Sequence, residues 1–250
     1  MDTTGHTILV TGGASGIGRR LAEAFHARGN TVIVAGRRRA ALAEVVAANP
    51  GMVAMELDVA DAASVAAFAE RLVAEHPALS AVIHNAGIMR REPLDTAPTW
   101  LADAEAMIAT NLTGPIRLTA ALLPHLLARP KAAILTVTSG LAFVPSTGFP
   151  TYSATKAALH SWTQTLRRQL AATAVEVIEI APPYVQTELT GAHQAVDPAA
   201  MPLADYIAEV MSLVEQVPTP PEIIVERCKP LRFAAETGAF DRIFEALAGH

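Results

Sequence analysis

One glycine-rich turn constrains the fold of this chain more than any other feature. Thr7 to Thr11 is a short, β-rich apolar run. It leads directly into Thr11-Gly12-Gly13-Ala14-Ser15-Gly16-Ile17-Gly18. From Ile17 to Ala27 the apolar residues Ile17, Leu21, Ala24 and Phe25 recur at helical spacing. A strand that enters a helix through so tight a turn needs backbone conformations open to glycine. It also leaves unpaired N–H groups at the helix start, aimed where a phosphate can sit. The spacing is Gly-x-x-x-Gly-x-Gly, not the commoner Gly-x-Gly-x-x-Gly. Alone, such a turn fits a purely folding role. Its strand–turn–helix setting points instead to a dinucleotide, with Gly12, Ser15, Gly16, Ile17 and Gly18 at the pyrophosphate.

The alternation continues. Strands are expected over Thr31–Ala35, Val53–Leu57, Ala81–His84, Ala133–Thr138 and Val175–Ile180. Helices are expected over Ala40–Ala48, Ala62–Glu75, Leu101–Asn111, Gly114–Leu127 and Tyr152–Ala172. Pro93 and Pro98 mark an irregular segment. Prolines are frequent from Pro182 to Pro230, which reads as loops and short helices near the strand ends. The rhythm predicts an α/β fold: a single-domain, doubly wound, mostly parallel sheet of Rossmann type with helices on both faces.

Composition agrees. Of 250 residues 51% are hydrophobic and only 5% aromatic, so a large core of small aliphatic side chains is expected. The formal charge is -5 and no basic stripe stands out, which argues against nucleic acid as a partner. The single cysteine, Cys228, excludes an internal disulfide or a cysteine-rich metal site, and the eight histidines show no metal-ligand spacing. No secretory signal or membrane-spanning run is visible, so a cytoplasmic protein away from membranes is expected.

A second constellation carries chemistry. Tyr152 and Lys156 lie four residues apart on an expected helix and share a face. A phenol titrates near pH 10, too high for neutral acid–base work. A neighbouring ammonium is expected to lower it. Ser139, at a strand end, can bind a substrate oxygen. Together these residues suit hydride transfer coupled to proton transfer by Tyr152. Asn111, at the expected break between two helices, can hold a water that relays protons from Lys156, or can cap a helix. The run after the second strand is Gly36-Arg37-Arg38-Arg39, with no acid to accept bonds from a ribose. Arg37 is therefore expected to bind a 2′-phosphate, favouring NADP(H) over NAD(H), with Arg38 and Arg39 as a solvated helix start. Asp58 lies near the adenine or caps a strand end.

These motifs together closely resemble the short-chain dehydrogenase/reductase family over roughly Thr7 to Thr187. The resemblance implies a catalytic tetrad of Asn111, Ser139, Tyr152 and Lys156. It places Gly12, Gly16, Ile17 and Gly18 on the cofactor turn, Asp58 and Val59 at the adenine, and Asn85, Ala86 and Gly87 beside the cofactor. Tyr152 and Lys156 also border the cofactor, and Pro182, Val185 and Thr187 meet the nicotinamide carboxamide. Three departures stand out. His84 replaces an asparagine and reads as a packed strand-end histidine. Pro183 replaces a glycine, and the Pro182-Pro183-Tyr184-Val185 stretch resembles a DltE-like bacterial oxidoreductase branch. The C-terminus has a helical apolar pattern in place of the family's last strand and Val-Asp-Gly-Gly stretch. That puts the usual tetramer contact in doubt and leaves a homodimer through the helices at Gly114 and Tyr152, or a monomer.

Met89, Leu141, Phe143, Phe149 and Tyr184 follow strand ends and are expected to line a substrate pocket, covered by a segment around residues 189–217. Their apolar character predicts an uncharged, fairly hydrophobic carbonyl or alcohol substrate. Two other readings stay open: a cofactor-binding regulatory or protein-interaction member without redox turnover, and an epimerase or isomerase.

Overall fold

Strand β1 (Thr7–Thr11) is buried along its whole length. It pairs in parallel with β2 (Thr31–Gly36) on one side and β4 (Leu79–His84) on the other. β3 (Val53–Glu56) extends the sheet past β2, while β5 (Ala132–Val137), β6 (Val175–Ile180) and β7 (Glu222–Ile223) extend it past β4. The order of the seven-stranded sheet is β3-β2-β1-β4-β5-β6-β7. Chain direction across the sheet reverses between β1 and β4, which opens a crevice beyond their C-terminal ends. This computed structural model describes residues 1–94 and 100–248; Pro98 lies outside the described residues.

Side-chain alternation along the strands divides the core in two. Ile8, Val10, Val34, Ile83, Leu135 and Ile180 pack on one face against α1 (Gly16–His26), α2 (Arg39–Ala48) and α7 (Leu203–Val214). Leu9, Ile33, Val82, Ile134 and Val177 pack on the other, against α3 (Ala62–Glu75), α5 (Gly114–Leu127) and α6 (Pro150–Gln169). The doubly wound α/β architecture expected from the sequence is the one observed.

Three local features differ from expectation. α4 (Trp100–Ile108) does not break before α5; a π-helical turn over Ala109–Thr113 joins them. The widened turn also accommodates Pro115, which has no N–H to donate. The proline-rich stretch holds a seventh strand, β7, and the twelve-residue helix α7. Pro202 precedes α7 and so does not interrupt it. Tyr206, Ile207, Val210, Met211 and Val214 recur along α7 at helical spacing and are buried. After the short α8 (Lys229–Arg232) the chain closes with the expected C-terminal helix, α9 (Phe240–Ala248), which has no buried residue. Among the described residues no helix is long and apolar enough to cross a membrane.

Candidate active site

A cleft of about 670 Å³ lies at the C-terminal ends of the central strands. The glycine turn forms one wall. Gly12 has φ +66, and a Cβ on it would lie 2.9 Å from the Ala86 Cα. A Cβ on Gly18 would lie 2.2 Å from Asn85 Nδ2. Neither position tolerates a larger residue without displacing the end of β4. Asn85 Nδ2 donates to the Thr11 carbonyl at 3.1 Å and the Gly12 carbonyl at 3.3 Å, pinning the turn. The Thr11 hydroxyl accepts from the backbone N–H groups of Asn85 and Ala86 at 3.1 Å each. Sequence had placed Asn85 beside a cofactor; its side chain here holds the turn in shape. The close approach of backbone and the empty glycine positions fit a dinucleotide pyrophosphate.

Past β2 the three arginines separate. Arg37 and Arg38 both line the cleft. Arg38 Nη2 donates to Ser15 Oγ in the glycine turn at 2.7 Å. Arg39 instead pairs with Glu56 on β3. Arg38 stands at the exposed start of α2, as expected, and its guanidinium also reaches back to the glycine turn. Asp58 and Val59 also line the cleft. Asp58 Oδ1 accepts from the Ala60 N–H at 3.0 Å, so it makes a strand-end turn as well.

The proton-transfer residues meet at the inner end. Ser139, Tyr152 and Lys156 all line the cleft, and all are buried. Ser139 Oγ accepts from the Leu141 N–H at 3.1 Å, which leaves its own proton free to donate. Lys156 Nζ donates to the Val137 carbonyl at 2.8 Å and lies 5.6 Å from the centre of the Tyr152 ring. Burial pushes the Tyr152 phenol up to about 12, with Ser139 pulling the other way. Lys156 is pushed down to about 8 by burial, against an upward pull from Glu179. The phenol was expected below its ordinary value. Desolvation outweighs the hydrogen bond from Ser139.

Asn111 sits in the π-helical turn. Its Oδ1 accepts from the Ile88 N–H and its Nδ2 donates to the Ile88 carbonyl, both at 2.9 Å. It caps no helix. It locks the loop after β4 against α6, where its Nδ2 also reaches Thr155 Oγ1 at 3.3 Å. A Cβ on Gly87 would lie 3.3 Å from Asn111 Oδ1 and 3.7 Å from Lys156 Nζ. Gly87 thus keeps open the space between the two side chains. His84 is buried behind them, with Nε2 2.8 Å from Thr119 Oγ1, and burial pushes it down to about 4.

Ala86, Gly87, Pro182, Val185 and Thr187 line the cleft, as does Met89. Leu141, Phe143, Phe149 and Tyr184 are not among its lining residues. A 3-10 turn over Gly140–Ala142 redirects the chain after β5. Phe143 then packs edge-on against His160, and Arg232 stacks on its ring. Tyr184 faces outward and donates to Asp197 at 3.0 Å. The cleft wall is built instead from Pro183, Leu189, Gln194, Ala195 and Leu203. Of the expected covering segment, α7 packs on α1 and contributes only its first residue, Leu203.

Two polar residues went unread in the sequence. Buried Gln194 donates to the Val185 carbonyl at 2.8 Å and Thr187 Oγ1 at 3.1 Å, fixing that segment. Buried Glu92 accepts from Thr151 N at 2.9 Å and Thr151 Oγ1 at 2.6 Å, one residue before Tyr152. The proline at 150 could have signalled the start of α6, but nothing in sequence pairs Glu92 with it.

Residues 6–197 match the short chain dehydrogenase family. An uncharacterized oxidoreductase, DltE, from Bacillus subtilis (strain 168) is 39% identical over 250 residues, covering 99% of this chain and 98% of the relative. The 3-oxoacyl-[acyl-carrier-protein] reductase FabG of Escherichia coli (strain K12) is 31% identical, covering 77% of this chain and 78% of that protein. The crystal structure of a short chain dehydrogenase from Burkholderia cenocepacia J2315 in complex with NADP superimposes with a TM-score of 0.82 at 27% identity, covering 98% of this chain and 99% of that one. With the glycine turn, Ser139, Tyr152 and Lys156 gathered in one cleft, this chain belongs to the short-chain dehydrogenase/reductase family of oxidoreductases, in its DltE-like branch.

Proposed function

We propose that this protein is an NADP(H)-dependent oxidoreductase that interconverts a carbonyl compound and a primary or secondary alcohol. One observation carries the reading: Ser139, Tyr152 and Lys156 are buried together at the inner end of a cleft whose outer wall is the glycine turn. A nicotinamide dinucleotide bound there supplies a hydride to a carbonyl carbon, or accepts one from an alcohol. Gly12, Ser15, Gly16 and Ile17 hold its pyrophosphate, with Gly18 packed behind them on Asn85. Asp58 and Val59 hold its adenine, and Pro182, Val185 and Thr187 its carboxamide. Ser139 donates a hydrogen bond to the substrate oxygen. Tyr152, held protonated by burial, delivers its proton to that oxygen. Lys156, still largely cationic at neutral pH, favours the phenolate left behind. Asn111 and Lys156 flank Gly87, and a water held beside them replaces the proton.

Arg37 and Arg38 at the end of β2 support NADP(H). Both can make charge-assisted bonds to a phosphate, and the run Gly36-Arg37-Arg38-Arg39 holds no carboxylate to accept bonds from an unphosphorylated ribose. Met89, Pro183, Leu189, Ala195 and Leu203 favour an uncharged, fairly hydrophobic small molecule as substrate. We read the protein as cytoplasmic, and as a homodimer through α5 and α6; exposed Leu127 on α5 suits such a contact. The test is a panel of apolar ketones, aldehydes and alcohols assayed with NADPH, NADH and their oxidised forms. Turnover with NADPH and a ketone or aldehyde is expected. Tight cofactor binding with no turnover across the panel would remove the assignment.

A further inference from the structure

Behind the active site lies a polar cluster that the proposed reaction does not use. On β6, Val175, Val177 and Glu179 alternate onto the face covered by α6. Two of them are apolar, as that face requires; Glu179 is a carboxylate with 0% exposure. One oxygen accepts from Thr138 Oγ1 at 2.6 Å. The other lies 2.8 Å from His160 Nδ1. A buried charge is retained only with partners such as these.

The placement of those partners is informative. Thr138 directly precedes Ser139. His160 lies four residues after Lys156, on the same face of α6. We propose that Glu179 is a positioning residue for proton transfer: its buried carboxylate ties the Ser139-bearing end of β5 to the helix that carries Tyr152 and Lys156, and places a negative charge behind Lys156. The inference rests on the reading of Ser139, Tyr152 and Lys156 as the proton-transfer group. Every element packed around Glu179 contributes a polar group. Thr138 comes from the end of β5 and His160 and Lys156 from α6. Glu222 comes from β7 and Cys228 from the turn before α8. Arg232 on α8 neutralises Glu222 at 2.7 Å.

The ligand atoms of His160, Glu179 and Glu222 fall within 4.8 Å of one another, a separation that a metal ion could bridge. Their donors are already in place, however. Arg232 occupies Glu222, and Thr138 occupies the second oxygen of Glu179. A cation would have to displace a guanidinium. Lys156 is the group that gains from the charge: Glu179 raises its proton affinity against the loss caused by burial.

The chain has only three lysines, Lys131, Lys156 and Lys229, so a protein labelled at lysine gives a readable NMR titration. Loss of a resonance in Lys156→Ala assigns the signal. In Glu179→Gln the Lys156 midpoint is expected to fall, and in Glu179→Asp to stay near the original value. The alkaline limb of kcat for carbonyl reduction should move to lower pH with it. Superimposable Lys156 titrations in the original protein and Glu179→Gln would overturn the proposal. If Glu179→Gln does not fold, Thr138→Val serves in its place. It should lower kcat about tenfold with little change in cofactor affinity, and an unchanged kcat would overturn the clamp. The NMR arm needs no turnover, so it stands apart from the functional reading. A Tyr152→Phe variant that still turns over would sink that reading and leave the Lys156 titration to be judged alone.

Discussion

Arg38 reaches back from the start of α2 to the glycine turn, where its Nη2 donates to Ser15 Oγ at 2.7 Å. This joins the two parts of the cleft that would meet the phosphates of a dinucleotide. Arg37, on the same wall, is exposed and free to move toward a ligand. On the proposed NADP(H) reading, Arg38 is pre-positioned for the 2′-phosphate and Arg37 is recruited to it. Charged hydrogen bonds contribute roughly 1.5–3 kcal/mol each. Arg38→Ala and Arg37→Ala should each raise the KM for NADPH at least tenfold and leave that for NADH nearly unchanged. Ser15→Ala should weaken NADPH binding in the original protein and have less effect in Arg38→Ala. Equal losses with both cofactors would remove the arginines from phosphate recognition.

Tyr152→Phe keeps the ring and its contact with the Lys156 ammonium, and removes the hydroxyl with its proton and its hydrogen bond to Ser139. Turnover should fall by about 10²–10⁴. Cofactor affinity, measured by fluorescence titration or calorimetry, should change little. Turnover near the original rate would exclude Tyr152 as the acid.

Much of this site was legible in the sequence because its parts are local. The glycine turn, the Tyr152–Lys156 spacing and the strand-end serine each lie within a few residues, where periodicity and turn chemistry speak directly. The strands were legible for a related reason. Buried parallel strands read as continuous apolar runs, and β1 was bounded correctly on that basis. What sequence missed depends on which way a chain leaves a strand or which element packs behind it. Phe143 was assigned to the pocket, but the turn at Gly140 sends it to His160. Met89, which follows β4 without such a turn, does line the cleft. Glu179 carries no local signal; only the packing of α6 on β6 gives it Thr138 and His160. β7 has two residues, too few to show any period. Arg37 was singled out for a phosphate and Arg38 was not; the reach of Arg38 to Ser15 is set by the fold of α2 over the glycine turn, which local sequence does not show.

His84 should make the protein sensitive to mild acid. Burial holds its folded-state value near 4, against an ordinary value of 6.5. The unfolded chain therefore binds a proton that the folded protein refuses between these limits. Its contribution to stability is complete above pH 6.5 and is lost as pH falls toward 4. The full difference corresponds to about 3 kcal/mol. His6 is also held down by burial and acts in the same direction. Urea midpoints measured from pH 7 to pH 4 should fall steadily, and His84→Asn should flatten that slope. A slope unchanged in the variant would place the acid sensitivity elsewhere.

Glu92 offers a way to separate the anchoring of α6 from the chemistry it carries. Its carboxylate accepts from both Thr151 N and Thr151 Oγ1, at the helix end where N–H groups lack partners and negative charge is favoured. Tyr152 is the next residue, so slack at this cap passes directly to the phenol. Glu92→Ala should lower stability by about 1–2 kcal/mol, the usual cost of a lost helix cap. It should also reduce kcat several-fold. Glu92→Gln keeps an oxygen that can accept from Thr151 N, and should recover most of both. Thr151→Val removes the hydroxyl contact alone and should fall between them. Urea denaturation and steady-state kinetics on the three variants test the idea. Loss of stability with unchanged kcat in Glu92→Ala would show that the cap supports the fold but does not place Tyr152.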